Sequence, residues 1–174
     1  EALAYRIVMR MGGDAKKLVL GLMFTTAFLS MWLSNTATAA LMVTLALGLT
    51  VKHEKEKDKE NFYKVTVLGI AYSASVGGIA TLIGTPPNMV AAGMLQELVG
   101  YNVTFLSWML YGLPITVIFV LLIWVFLFRL FPVEATSVQK PEKKTAVLNV
   151  KQKLTLSVFV LAAVLWVTSS LPES

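Results

Sequence analysis

A group of polar residues lies in the middle of a long apolar segment and has the chemistry to bind a small ligand or ion. Ser30 and the adjoining Ser-Asn-Thr motif (34–36) fall within 18–51, a segment without a single charged residue. Because lipid cannot satisfy hydroxyl and amide groups, groups in such a segment need protein, water or a ligand as partner. Ser and Thr often bond to their own helix, but three adjacent polar residues cannot all do so on one face. This segment is the first candidate site.

A second candidate site lies in the uncharged segment 65–95, at the sequence Gly84-Thr85-Pro86-Pro87-Asn88. The two prolines have no amide donor and stop the incoming helix. Thr85 followed by Pro86 resembles an N-cap and a first helical position, so a new helix should begin there. The sequence therefore predicts a helix over 65–83, a break, and a second helix over 86–97.

Both candidate sites combine a helix start with oxygen-rich side chains. A helix start offers amide donors and a partial positive charge, which suit a carboxylate. Carbonyl, hydroxyl and amide oxygens suit Na⁺, and broken helices that combine the two features are typical of secondary transporters. Neither uncharged segment contains an ionisable side chain that could relay a proton. The pattern favours sodium coupling, or exchange of one anion for another, over proton coupling.

The composition indicates the class of protein that must position these residues. Hydrophobic residues make up 56% of the 174 residues and charged residues 14%, with the apolar residues in long uncharged runs. This predicts an all-α membrane protein with several spans. The net charge of +5 is explained by basic residues that flank the spans, so no nucleic-acid partner is expected. The absence of cysteine excludes disulfides and thiolate metal sites.

Length and charge favour a re-entrant hairpin for 18–51. One straight helix of 34 residues would be about 50 Å long, against a hydrocarbon core of about 30 Å. Basic residues on both sides predict that the segment enters and leaves on one side of the membrane, which excludes a single span. Two full spans of about 16 residues would also return to that side, but they are short. Two half-membrane arms, 18–33 and 37–51, fit better.

The remaining segments follow from the same reasoning, and all 15 Lys and Arg then lie on the cytoplasmic side. His53 lies in a charged run and is expected to be exposed to solvent rather than to bind a metal. No signal peptide follows Glu1, so the native chain is expected to begin earlier. The predicted segments are an interfacial amphipathic helix (1–17), the hairpin (18–51, tip at 34–36), a cytoplasmic charged loop (52–64), a discontinuous transmembrane helix (65–97, broken at 84–88), an outer loop (98–110), a transmembrane helix (111–131), a cytoplasmic linker (132–153) and a last transmembrane helix (154–171). Residues 1–17 could instead be the end of an earlier span, and the charged run 52–60 could be a helix end rather than a solvated loop.

The motifs at 30–39 and 77–88, in this order, closely resemble the divalent anion/sodium symporter family of dicarboxylate and citrate transporters. The resemblance covers essentially the whole chain. It implies one half of an inverted-repeat transporter, with a re-entrant helical hairpin and a discontinuous transmembrane helix. It also implies an elevator-type mechanism, a homodimer, and a multi-pass location in the lipid bilayer of the cell (inner or plasma) membrane.

The resemblance also implies roles for particular residues. The implied substrate-binding residues are Asn35, Thr36, Thr85 and Pro86, and the implied ligands of the coupling ion Na⁺ are Ser30, Ser34, Asn35 and Gly84. Family members carry a second Ser-Asn-Thr motif in their other half, whereas this chain has one. The second sodium site and the rest of the substrate site are therefore expected in a missing second half.

The leading hypothesis is sodium-coupled uptake of small di- or tricarboxylates such as succinate, malate, fumarate or citrate. A sodium-independent anion exchanger, or a carrier of another divalent anion such as sulfate, is the alternative. An enzyme is not expected, because the uncharged segments contain no Cys, His or acid to act with Ser34. A membrane scaffold that associates through the small residues of 69–80 would tolerate Asn35→Ala, whereas a transporter would not.

Overall fold

The computed structural model describes residues 14–48, 51–52, 56–133 and 137–138, and scattered positions between 154 and 168. Most of the predicted helix 1–17, and much of 132–153 and 154–171, lie outside the described residues. The regular structure of the described part is helical except for two strands of two residues each, which pair antiparallel. The elements are α1 (Ala15–Ser30), α2 (Asn35–Leu47), β1 (Val51–Lys52), α3 (Glu56–Gly77), α4 (Pro86–Val99), α5 (Phe105–Leu130) and β2 (Ser137–Val138).

The core of the fold lies between α1 and α3, which approach closely because small residues face the partner helix. A Cβ atom added to Gly77 would collide with the backbone of Ala27, and one added to Gly69 would lie 3.1 Å from Met23 Sδ. Such contacts let two helix backbones approach without side chains between them. The largest fully buried apolar side chains belong to this core: Leu18, Leu22, Met23, Phe62 and Ile70.

Helix α3 begins inside the charged run that the sequence analysis placed in a loop over 52–64. It starts at Glu56, and ion pairs one turn apart join Lys59 to Glu56 at 3.1 Å and Lys64 to Glu60 at 2.6 Å. Pairs at this spacing stabilise a helix. The side-chain amide of Asn61 also donates to the carbonyl of Pro132 at 2.9 Å. The prediction of a loop is therefore wrong from residue 56 onward, where the alternative prediction of a helix end applies.

The two predicted breaks are present, but their bounds differ from the expected ones. Residues 31–34 connect α1 to α2, so the motif 34–36 spans the N-cap and first two positions of α2 rather than a tip between two helices. Residues 78–85 connect α3 to α4, so α3 ends at Gly77 and not at residue 83. Helix α4 begins at Pro86, where the sequence predicts a helix start.

Helix α5 is the one helix within the described residues that is long and apolar enough to cross a membrane. It begins at Phe105, inside the predicted outer loop 98–110, because Thr104 and Ser107 form a reciprocal capping box there. The side chain of Trp32, in the 31–34 connection, packs at 6.4 Å between ring centroids against Phe105. The start of α5 therefore lies beside the first break.

Candidate functional site

The start of α2 presents unpaired backbone amides beside the Ser-Asn-Thr motif. Ser34 is the N-cap, and its hydroxyl accepts a hydrogen bond from the amide of Ala37 at 3.3 Å. Within the described residues, the amides of Asn35 and Thr36 have no hydrogen-bond partner. Ser34 and Thr36 are exposed and Asn35 is half-buried. This helix start can therefore donate two hydrogen bonds to an anion.

Oxygen atoms of three residues meet directly behind this helix start. The hydroxyl of Ser30, which is fully buried, lies 2.7 Å from Asn35 Oδ1 and 2.6 Å from the carbonyl oxygen of Ala74. A serine hydroxyl has one proton and can donate to only one of the two oxygens. Turning the Asn35 amide over would let its Nδ2 donate to Ser30 while Ser30 donates to Ala74. With Oδ1 of Asn35 facing the hydroxyl of Ser30, the cluster offers the hard oxygen ligands that Na⁺ prefers.

Two glycines bring the second break against this oxygen cluster. A Cβ atom on Gly78 would lie 2.5 Å from Asn35 Oδ1, and one on Gly84 would lie 2.5 Å from the carbonyl oxygen of Gly78. Gly84 is buried. The structure thus brings the predicted sodium ligands Ser30, Asn35 and Gly84 into one region, whereas the exposed hydroxyl of Ser34 caps α2.

The start of α4 differs from that of α2. Thr85 is the N-cap by its extended backbone, but its half-buried side chain makes no capping hydrogen bond. Pro86 and Pro87 have no N–H, and the amide of Asn88 bonds to the carbonyl of Thr85 at 3.1 Å. The expectation that both helix starts offer free amide donors is therefore wrong for the first three positions of α4. The hydroxyl of Thr85 remains able to bind a ligand.

A groove of about 530 Å³ lies between α2 and α3 and contains two of the predicted substrate-binding residues. Asn35 and Thr36 line it, whereas Thr85 and Pro86 are not among its lining residues. None of the lining residues carries a charge, so any charge on a ligand there must be balanced by helix starts or bound cations. The groove is lined by Asn35, Thr36, Ala39, Ala40, Val43, Thr44, Ala71, Ala74 and Ser75.

Two residues with prominent contacts were given no role by the sequence analysis. The side-chain amide of Asn88 donates to the carbonyls of Gly78 and Thr81, each at 2.8 Å. The hydroxyl of Thr81 donates to the carbonyl of Met31 at 2.6 Å. Asn88 could have been identified from the sequence. Burying an asparagine side chain in an apolar segment costs free energy unless it is hydrogen-bonded, as for Asn35. The partners of Asn88 could not be read from the sequence.

The comparison with protein families identifies the class of this chain. The model of the citrate transporter family matches residues 1–174. The chain therefore belongs to the citrate transporter family, which agrees with the resemblance of its two motifs. The matched family and relatives are transporters and not enzymes, so the chain is part of a membrane transport protein.

Individual relatives agree with this family. A protein of Haemophilus influenzae named as an uncharacterized transporter is 40% identical over 169 residues, which are 97% of this chain and 35% of the relative. Sodium-dependent dicarboxylate transporters SdcS of Staphylococcus saprophyticus and Staphylococcus aureus are each 31% identical over 180 residues, covering 95% of this chain and 35% of the relative. The chain thus spans about a third of the length of these relatives.

Proposed function

We propose that the whole protein takes up small di- or tricarboxylates, such as succinate, malate, fumarate or citrate, together with Na⁺. The observation that carries the proposal is the oxygen cluster of Ser30 and Asn35, placed next to the free amides at the start of α2. One helix start thus combines cation ligands with anion donors, and neither 18–51 nor 65–95 contains Lys, Arg, Asp, Glu or His. The sodium-dependent dicarboxylate transporters among the relatives support the same combination.

The substrate carboxylate binds at the starts of the two helices. Asn35 and Thr36 donate through their backbone amides, Thr85 donates through its hydroxyl, and Pro86 forms an apolar wall beside it. A dicarboxylate carries two negative charges, and 18–51 and 65–95 supply no lysine or arginine to balance them. The helix starts supply part of that charge and bound Na⁺ the rest. Substrate binding therefore requires the cation.

Na⁺ binds directly behind the substrate. Its ligands are the hydroxyl of Ser30, the side-chain oxygen of Asn35 and the carbonyl of Gly84, with Ser34 as a further oxygen ligand. Asn35 thus contacts the ion through its side chain and the substrate through its backbone. The close approach of Gly78 to Asn35, and of Gly84 to Gly78, supports a compact site of this kind.

Helix lengths support the proposed membrane arrangement. Helices α1 and α2 have 16 and 13 residues, or about 24 and 20 Å, less than the hydrocarbon core of about 30 Å. They form a re-entrant hairpin, α3 and α4 form a discontinuous transmembrane helix, and α5 crosses the membrane. The charged run 52–64 lies on the cytoplasmic side. In the cell membrane, this multi-pass half and the second half of the same transporter form one protomer of a homodimer. The protomer moves substrate by an elevator-type shift.

Uptake of radiolabelled succinate into proteoliposomes that contain the whole protein tests this function. We expect uptake under an inward Na⁺ gradient and little uptake when K⁺ replaces Na⁺. Equal uptake in both conditions would contradict sodium coupling, and rapid exchange with internal succinate without Na⁺ would identify an exchanger. Uptake of radiolabelled sulfate that an excess of succinate does not inhibit would contradict the carboxylate assignment.

A further inference from the structure

The non-helical connection 78–85 is unusual because much of it is buried. Ala80 and Thr81 are fully buried, and Gly84 is buried as well. Buried backbone groups outside a helix need other hydrogen-bond partners. In this connection the carbonyls of Gly78, Ile79 and Thr81 all accept hydrogen bonds from side chains of later helices. Side chains therefore fix its conformation.

Asn88 is the main source of these hydrogen bonds. A side-chain amide has two protons, and Asn88 uses them on two carbonyls, those of Gly78 and Thr81, both at 2.8 Å. The side chain is buried, with 6% of the residue exposed. It is also the one buried residue of α4. Asn88 thus ties the first turn of α4 to both halves of the connection.

Thr81 continues this network to the first break. Its hydroxyl donates to the carbonyl of Met31 at 2.6 Å, in the connection between α1 and α2. At the other end of the same network, Gly78 lies against the side chain of Asn35. A continuous set of contacts therefore runs from Asn35 to the start of α4. Thr85 lies within it, between Gly84 and Asn88.

We propose that Asn88 and Thr81 are positioning residues that couple Na⁺ binding to substrate binding. This inference rests on the proposed function. Na⁺ at Ser30, Asn35 and Gly84 orders one end of the network, and the hydrogen bonds of Asn88 and Thr81 transmit that order to Thr85. Breaking the network leaves the ligands of both sites in the chain, but it lets Thr85 move independently of Asn35. Two sites are coupled when a ligand at one of them stabilises the arrangement that the other requires.

Asn88→Asp in the whole protein tests the proposal, because it keeps the shape and replaces both donors by acceptors facing two carbonyls. The measurement is the ratio of the succinate KM at low Na⁺ to that at saturating Na⁺, in proteoliposomes. We expect this KM ratio to be about tenfold smaller in the variant than in the wild-type protein. Asn102→Asp, on an exposed residue between α4 and α5, is the matched control and should keep the wild-type ratio.

The KM ratio separates positioning from a merely structural role. A variant that only folded poorly would reduce the amount of active protein and leave the ratio unchanged, and this result would overturn the proposal. A wild-type protein without any effect of Na⁺ on KM would overturn the proposed function as well. A wild-type effect that Asn88→Asp retains in full would overturn the coupling alone.

Thr81→Val provides a second variant if Asn88→Asp does not reach the membrane. It removes one hydroxyl with little change of volume and breaks the link to Met31. Thr26→Val is the matched control, because Thr26 is equally buried but bonds to the carbonyl of Leu22 in its own helix. We expect Thr81→Val to lower the KM ratio about fivefold and Thr26→Val to preserve it. Equal ratios in these two variants would overturn the proposal.

Discussion

Helices α2 and α4 both begin at the candidate site, but they offer a ligand different groups. The start of α2 has a side-chain cap from Ser34 and two amides, of Asn35 and Thr36, without partners in the described residues. The start of α4 has two prolines in place of amide donors and the uncapped hydroxyl of Thr85. The helix dipole is present at both, so the difference lies in the donors. A helix start is an anion site only if its amides exist and are free.

The two helix starts are also held in different ways. The start of α2 is stabilised locally, by the contact of Ser34 with Ala37. The start of α4 is held by a residue of its first turn, Asn88, which bonds to carbonyls of the preceding connection. The first arrangement leaves exposed polar groups for a ligand, whereas the second fixes a backbone. We therefore assign anion binding mainly to α2 and support of the site mainly to α4.

Of the substitutions at the two helix starts, Asn35→Ala should reduce succinate uptake most. It removes the proposed oxygen ligand of Na⁺ and the contact with Ser30, so sodium-dependent succinate uptake should fall about 100-fold or more. Uptake by the whole protein in proteoliposomes, normalised to the reconstituted protein, measures this effect. Asn102→Ala, on an exposed residue outside the site, should retain wild-type uptake. Uptake by Asn35→Ala within twofold of wild type would remove α2 from the site.

Gly78→Ala tests whether the two breaks must touch. The added methyl would lie 2.5 Å from Asn35 Oδ1, and overpacking of this kind costs about 1–3 kcal/mol. We expect lower thermal stability and an uptake reduced about tenfold or more. Gly93→Ala in α4 is the control, because nothing lies within 4 Å of its added methyl. That variant should gain about 0.5–1 kcal/mol of stability and transport normally; equal behaviour of the two variants would contradict the close approach.

Threonine substitutions at the two helix starts compare their donors directly. Thr85→Val removes the hydroxyl that α4 offers and should raise the succinate KM about tenfold, since hydrogen bonds to charged groups are strong. Thr36→Val keeps the backbone amide of α2 and should raise KM only about twofold. Thr85→Ser restores the hydroxyl and should restore KM. A larger increase in the succinate KM for Thr36→Val than for Thr85→Val would contradict our assignment of the Thr85 hydroxyl and the Thr36 backbone amide as the donors.

A substitution near the start of α3, which lies outside the site, should have the smallest effect on uptake. The pKa of the Glu60 carboxyl, in the second turn of α3, is lowered by its hydrogen bond to Lys64 and by the charge of Lys64. A lowered pKa means that the pair stabilises α3 at neutral pH and that this contribution is lost as pH falls through the lowered value. Glu60→Gln should leave uptake at pH 7 unchanged and make thermal stability less sensitive to acid. A loss of uptake in Glu60→Gln would extend the site to α3.

Much of the candidate site could be predicted from the sequence because its signals are local. Polar residues in an uncharged segment identified Ser30 and Asn35, which the structure brings to 2.7 Å. The pair Thr85-Pro86 predicted the helix start, since proline fixes its own backbone and prefers the first helical position. Such features depend on residues a few positions apart, so no tertiary information was needed.

The differences between prediction and structure arise from contacts distant in sequence. Residues 79–83 are mostly apolar and resemble a helix, but α3 ends at Gly77. Asn88 bonds to two carbonyls of the connection, and Thr81 bonds to the carbonyl of Met31. The charged run was assigned to a loop because alternating charges resemble a solvated segment. In the structure, ion pairs one turn apart and the bond from Asn61 to Pro132 hold it in α3. The partners of Asn88, Thr81 and Asn61 are distant in sequence and cannot be predicted from it, whereas the ion pairs are local and their spacing could have indicated a helix.

The two prolines at the start of α4 also restrict how this protein can open and close. A continuous helix through α3 and α4 would need amide protons at Pro86 and Pro87 and would bring their rings against the carbonyls one turn earlier. Winding of the connection 78–85 into a regular helix continuous with α4 is therefore disfavoured by two adjacent prolines. This restriction supports the proposal that access to the ligand changes by displacement of intact helices, with the coil between them carried along unchanged.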